Sequence, residues 1–403
     1  MSKLLLFIFS LAFLVSCNND TDDKYSSKIL KFVWKVDLKK VQGYQGFELP
    51  SIDGNYAYFP NGPDIECREL STGRSIWKKR VTNGTVDYIG TNFSFNSENI
   101  LIDDAFSTRL LNKLTGEQIW IAPDSGVQRV YGSLGTIDNI HGYRFPSIYL
   151  PKELQQFDCR TGNKIQSIYS DSGSFNSVVA NSFGVFANTL AAYRDKVTDE
   201  RISFGTLVKI NPETGNLDFK IRIQPRWFKD VGYGFYLSTS SELFSKPAFD
   251  QQFGYCSFKD GTTIKFIPET GNIVWKYELP ITNYRRDFPD AISVFPDEEK
   301  GLVFVTGGRD SWFCLDMETG KQLYWKRLSE YDGMIDPSSY DGNRYVFKPH
   351  TYGQYEWYII DITTGEVVEE FDIPDDSILS QDVKNGYVAA FGVGSFYVFK
   401  IVR

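Results

Sequence analysis

Histidine is almost missing from this chain: His141 and His350 are the whole complement in 403 residues. Imidazole-based metal clusters and His relays therefore have little to work with, and both histidines read as solvated or structural residues of the blade-three and blade-seven loops. Cysteine is nearly as scarce, with Cys17, Cys67, Cys159, Cys256 and Cys314. No two are adjacent, and none belongs to the Cys-x-x-Cys-His spacing of an attached haem. There is no Gly-x-Ser-x-Gly elbow, no Walker loop, no zinc pattern and no clear calcium constellation. Positive charge is in deficit, at net −8. That balance argues against a nucleic-acid partner and against general attraction to anionic lipid. Long apolar runs are absent too, except for residues 4–15, broken only by Ser10. Such a run is too short for a membrane span.

The run has another reading. Lys3 precedes it and Leu14-Val15-Ser16-Cys17 closes it, as in a secretory signal over residues 1–16. The closing tetrapeptide resembles a bacterial lipobox, in which the Cys becomes the acylated mature N-terminus. Cys17 is then the lipidation site and the membrane attachment, and residues 17–30, with Asp20, Asp22 and Asp23, are an acidic tether. The plain alternative is a cleaved signal in which Cys17 is incidental.

What the chain has in abundance is aromatic residues, at 16%, and one repeated phrase. Thr-Gly recurs with its glycine at Gly73, Gly116, Gly162, Gly215, Gly271, Gly320 and Gly365, at spacings of 43, 46, 53, 56, 49 and 45 residues. Strand-turn-strand units at such a period indicate a β-propeller. Four residues before each Gly stands Glu69, Asn112, Asp158, Asn211, Ile267, Asp316 or Asp361. An Asp or Asn there can accept backbone N–H groups of the turn, and Gly supplies the positive φ that closes it. Four residues after Gly come Trp77, Trp120, Gln166, Phe219, Trp275, Tyr324 and Glu369. A large aromatic at that point can wedge between neighbouring blades.

The phrase Asp-x-x-Thr-Gly-x-x-x-Trp-Lys resembles the quinoprotein-type, or PQQ-like, propeller repeat. Residues 315–326 and 264–276 match it best, and the resemblance runs from residue 31 to the end. The expected fold is all-β: one domain over residues 31–403, an eight-bladed propeller of four-stranded antiparallel blades. Residues 31–38 read as a returning strand without its turn, and residues 395–401 as an outgoing strand whose turn never comes. Paired, they close the ring as an eighth blade and remove two exposed edges. Seven blades with unpaired termini is the rival closure.

Two longer stretches, 190–203 and 224–252, fall on the face opposite the Thr-Gly turns, with 141–153, 280–296, 328–340 and 350–356. Arg226, Trp227, Phe228, Tyr236, Arg285 and Arg286 form the candidate interaction face, since Arg with aromatics favours interface centres. The alternative is that the aromatics fill their own loops. Lys113 and Glu318, in Thr-Gly turns, are expected to be neutral to substitution. The cysteines in different blades are expected to be free buried thiols, with pairing as the exported-protein alternative.

No catalytic residue, cofactor or metal site is expected. The vicinal cysteines of quinoprotein dehydrogenases are absent, which counts against a PQQ-dependent enzyme. A lipid-anchored, eight-bladed propeller of this repeat resembles the BamB family of outer-membrane assembly lipoproteins. That resemblance implies a bacterial outer-membrane location, periplasmic or surface-exposed. It also implies a scaffold whose partner is a cell-envelope protein, the periplasmic part of a barrel-forming subunit. A surface lipoprotein binding glycan, or another ligand, on the long-loop face is the competing reading.

Overall fold

The computed structural model describes residues 23–39, 50–81, 92–103, 107–123, 136–145, 152–194, 201–224, 227–229, 236–238, 246–280, 291–307, 311–328, 338–349, 356–373, 376 and 378–402. Eight four-stranded antiparallel sheets are strung along the chain, with one two-stranded ribbon between the fourth and fifth. Blades 1 to 7 take residues 51–80, 92–123, 136–169, 174–222, 248–278, 291–327 and 339–372. Each runs from an innermost first strand to an outermost fourth strand.

Blade 8 is made from both ends of the chain. Strands Ile378–Lys384, Tyr387–Gly392 and Ser395–Ile401 supply three members, and Leu30–Asp37 pairs with the last of them as the fourth. The register sets Leu30 opposite Ile401 and Asp37 opposite Ser395, with a bulge between Phe32 and Trp34. Closure through the termini is therefore observed, with eight blades and not seven.

The core lies between blades rather than within them. Short strands with two apolar faces can be buried only by stacking. The clearest case is the blade 7–blade 8 interface, where Phe347, Trp357, Ile359 and Phe371 meet Tyr397 and Phe399 from the end of the chain and Leu30 from its beginning. Next to it, Trp34, Phe396 and Val398 of blade 8 meet Ile52, Ala57 and Phe59 of blade 1. Innermost strands are linked around the centre as well: Asp382 of blade 8 accepts from the Ile52 N–H of blade 1 at 2.7 Å.

The described part of the insertion at 190–203 is not an irregular loop. It continues the sheet: strands Gly184–Arg194 and Arg201–Ile210 stay paired from Val185–Ile210 out to Arg194–Arg201. The stretch 224–252 contains the two-stranded ribbon, Trp227–Lys229 with Tyr236–Ser238. His141 departs from its expected loop position. It opens the second strand of blade 3, opposite Asp158, because Asp138 Oδ1 accepts the N–H groups of Ile140 and His141 and turns the chain early.

Candidate functional site

Two faces are available, and the first is built from the repeated turn. In all seven turns the Gly N–H donates to the carbonyl four residues back, at 2.7–2.9 Å. The Asx side chain then takes turn donors. Asp316 Oδ1 accepts from the Thr319 N–H at 2.7 Å and from its hydroxyl, and Asn112 Oδ1 accepts from Leu114 and Thr115. At Ile267, which has no acceptor, the Thr270 N–H turns to the Ile267 carbonyl at a longer 3.3 Å. The first-to-second strand turns lie on the same face: the Met317 N–H donates to Gly301 O and the Lys113 N–H to Glu98 O.

The wedge works across the seam to the next blade. A Cβ placed on Gly73 would fall 2.7 Å from the Trp34 ring, on Gly116 2.7 Å from Trp77, on Gly320 2.7 Å from Trp275. Six of the seven Thr-Gly glycines thus carry an aromatic of the preceding blade, and the missing Cβ is what lets the ring in. The polar tip is satisfied at the same place: Trp34 Nε1 donates to Leu70 O at 2.8 Å, Trp120 Nε1 to Cys159 O at 2.7 Å, and the Tyr324 hydroxyl to Ile362 O. Gln166 breaks the aromatic pattern but keeps the donor, reaching Pro212 O at 3.2 Å. Phe219 has none, and Lys209 Nζ serves the equivalent carbonyl of Pro268 instead.

One seam is different. Blade 8 has no Thr-Gly turn, and the wedge position of blade 7 is Glu369. Its carboxylate accepts from the backbone N–H groups of Lys28 and Ile29, each at 3.1 Å, and from the Ser27 hydroxyl at 3.0 Å. A wedge has become a clasp for the incoming chain. In the sequence Glu369 stood out as a lapse from the aromatic pattern; only ring closure supplies its partner.

Charged groups mostly serve the frame. Glu66 is buried, and burial alone would raise its carboxyl. Hydrogen bonds from Lys78, Arg68 and Asn61 outweigh that and hold it below the usual carboxylate range. Lys113, expected to be neutral, is a tie between blades: Nζ meets Asp53 Oδ2 at 2.7 Å and Asn96 O at 3.1 Å. Its turn position hid that role, since its partner lies 60 residues away. The four described cysteines are free and buried, as expected, and burial pushes the Cys67, Cys159 and Cys314 thiols up to about 12. Among the described residues no group of three or more His, Cys, Asp or Glu could hold a metal ion.

The second face receives the interblade links and the second-to-third strand turns. Of the candidate contact residues, the ribbon brings three into one unit. Phe228 pairs with Leu237, Trp227 with Ser238 and Lys229 with Tyr236. Arg226, Arg285 and Arg286 lie outside the described residues, as does Cys17. Two open grooves belong to the Thr-Gly face. One of about 740 Å³ lies between blades 7 and 8, beside Asp341, Lys384 and Lys400. The other, of about 340 Å³, lies between blades 5 and 6 beside Lys265, Asp316 and Glu318.

The family model described as outer membrane protein assembly factor BamB matches residues 259–372, from the third strand of blade 5 to the end of blade 7. The crystal structure of BamB from Moraxella catarrhalis superposes with a TM-score of 0.64, covering 92% of this chain and 100% of that one at 12% identity. The propeller is PQQ-like and resembles BamB. The computationally designed Ika8 protein gives a TM-score of 0.58 over 91% of this chain and 99% of its own, also at 12% identity. A europium-containing methanol dehydrogenase gives 0.55 over 95% of each chain, again at 12%. At such identities the likeness speaks for the fold alone, which an enzyme, a design and an assembly factor share. No curated protein matches the sequence.

Proposed function

We propose that this protein is a non-catalytic scaffold of the bacterial cell envelope, held to the outer membrane through Cys17 and binding an envelope protein in outer-membrane protein assembly. The observation that carries the reading is the match of the assembly-factor family model to blades 5 to 7, backed by the whole-ring likeness to BamB. The chemistry of the described residues agrees with it. Buried Glu66 and Asp361 are tied to basic groups of their own blades, and Lys113 to Asp53 of the blade before. A rigid ring with long connections on one face is suited to presenting a contact surface.

The test is capture from detergent-solubilised outer membranes with the mature protein as bait. Stoichiometric recovery of the barrel-forming assembly subunit is the expected result. Recovery of glycan polymer without that subunit would overturn the scaffold reading in favour of a ligand-binding surface lipoprotein.

A further inference from the structure

Basic charge is concentrated at one place. Residues 24–40 hold six lysines against a single acid, Asp37, in a chain of net −8. Even from residue 17, the count is six lysines against four aspartates. The fold turns this run into a surface. Strand Leu30–Asp37 is the outermost strand of blade 8 and has one strand partner, so its other edge faces radially outward from the ring. Leu30 and Trp34 are buried inward, while Lys24, Lys28, Lys31, Lys35 and Lys39 are exposed. Lys24 and Lys35 flank the same Tyr25 ring, at 5.5 and 5.9 Å from its centroid. Lys31 sits directly across from Lys400, also exposed. Like charges facing each other on a sheet weaken it, so the fold gains nothing from this pair. Two of these lysines have an acid beside them, Lys35 with Asp37 at 3.5 Å and Lys39 with Asp64 at 2.8 Å, while the Glu369 carboxylate is held by the backbone of Lys28 and Ile29.

We propose that this lysine edge of blade 8 lies against anionic lipid headgroups of the bilayer that receives the Cys17 acyl chains. The proposal deepens the anchored-scaffold reading and rests on it for the choice of surface. The described chain begins at Asp23, six residues after Cys17, and six residues reach at most about 20 Å. The edge of blade 8 is therefore confined near the headgroups, where lysines gain from negative surface potential. Acyl chains joined to a basic patch make the two-signal arrangement that holds a protein stably. Because the edge is radial, the ring would stand with its axis roughly parallel to the bilayer, leaving the long-loop face open to the side.

The test uses the mature chain, residues 17–403, with Cys17→Ser so that no acyl chain contributes. It is sedimented with vesicles of phosphatidylcholine alone and of phosphatidylcholine mixed with phosphatidylglycerol. We expect binding to the anionic vesicles only, weakening with salt. Lys28→Gln, Lys31→Gln and Lys35→Gln together should cut it roughly 100-fold, at about fivefold for each lysine. The set Lys220→Gln, Lys276→Gln and Lys321→Gln, on blades 4 to 6, should leave it unchanged. Equal binding to both vesicle types, binding to neither, or the same loss from both sets would overturn the proposal. Mass spectrometry of the wild-type N-terminus tests the anchor separately: anionic-vesicle binding without acylation would keep the lysine surface and remove the anchor.

Discussion

Glu369 and Ile29, 340 positions apart, are joined by a hydrogen bond of 3.1 Å from backbone N–H to carboxylate. The same carboxylate holds Lys28 and Ser27. This fixes the start of the strand that completes the ring. Hydrogen bonds to a charged group contribute about 1.5–3 kcal/mol, discounted here for partial exposure. Glu369→Ala should lower unfolding free energy by about 2 kcal/mol and speed proteolysis ahead of residue 30. Glu370→Ala, at the neighbouring exposed position, should change neither. Equal denaturant midpoints for the two variants would show that the clasp holds nothing.

The wedge can be tested as a pair. Gly73 has φ of +71°, and a Cβ there would fall 2.7 Å from the Trp34 ring. Gly73→Ala should cost on the order of 3 kcal/mol, partly from backbone strain and partly from displacing the indole. With Trp34→Ala already present, only the backbone part persists. A double-mutant cycle should therefore give a coupling of about 1–2 kcal/mol. Additive effects would mean that the ring and the turn do not sense each other.

That register was largely legible in the sequence. Seven Thr-Gly turns fixed the blades, and residues 31–38 and 395–401 revealed the closure, because a repeat makes each copy a control for the others. Its exceptions were not legible. Gln166 and Glu369 both read as losses from the aromatic pattern, yet one keeps the donor and the other reverses the polarity to hold the incoming chain. Lys113 looked idle because turn position says nothing about a partner in the preceding blade. The long-loop face was the least legible: its segments lack the repeat, so neighbouring copies say nothing about them.

Acid should act through the carboxylates held below their usual range. Glu66, hydrogen-bonded by Lys78, Arg68 and Asn61 against the opposing effect of burial, is one. Asp361, against the same opposition, is held low by Arg344 at 2.7 Å. A lowered carboxyl contributes stability that is present above its unfolded value, about 4, and is lost as pH falls through the folded one. Denaturant midpoints should therefore fall below about pH 5, and Glu66→Gln should flatten that fall. Parallel curves for wild type and Glu66→Gln would remove Glu66 from the account.

The long-loop face is tested by capture. Trp227→Ala combined with Arg285→Ala should weaken recovery of the partner while the melting temperature stays nearly unchanged; loss of a central anchor costs about 2 kcal/mol or more. Glu318→Ala, in an exposed Thr-Gly turn position, is the proper control, and Lys113, tied to Asp53, is not. Unfolding of the double variant would mean that these residues support their own loops.

The two chain ends meet where a hairpin would otherwise be: the Val402 N–H donates to Ile29 O at 2.7 Å, and Leu30 lies opposite Ile401. The ring therefore has one open joint and seven sealed ones of the same design. A short Thr-Gly linker across blade 8 and a cut at any other turn should yield a circular permutant with the same propeller. If Cys17 carries the proposed lipid, moving the cut would also move the point from which that tether leaves, carrying the attachment around the rim one blade at a time. With the proposed anchor, the place where the protein is opened would decide which side of a nearly uniform wheel is turned toward the membrane.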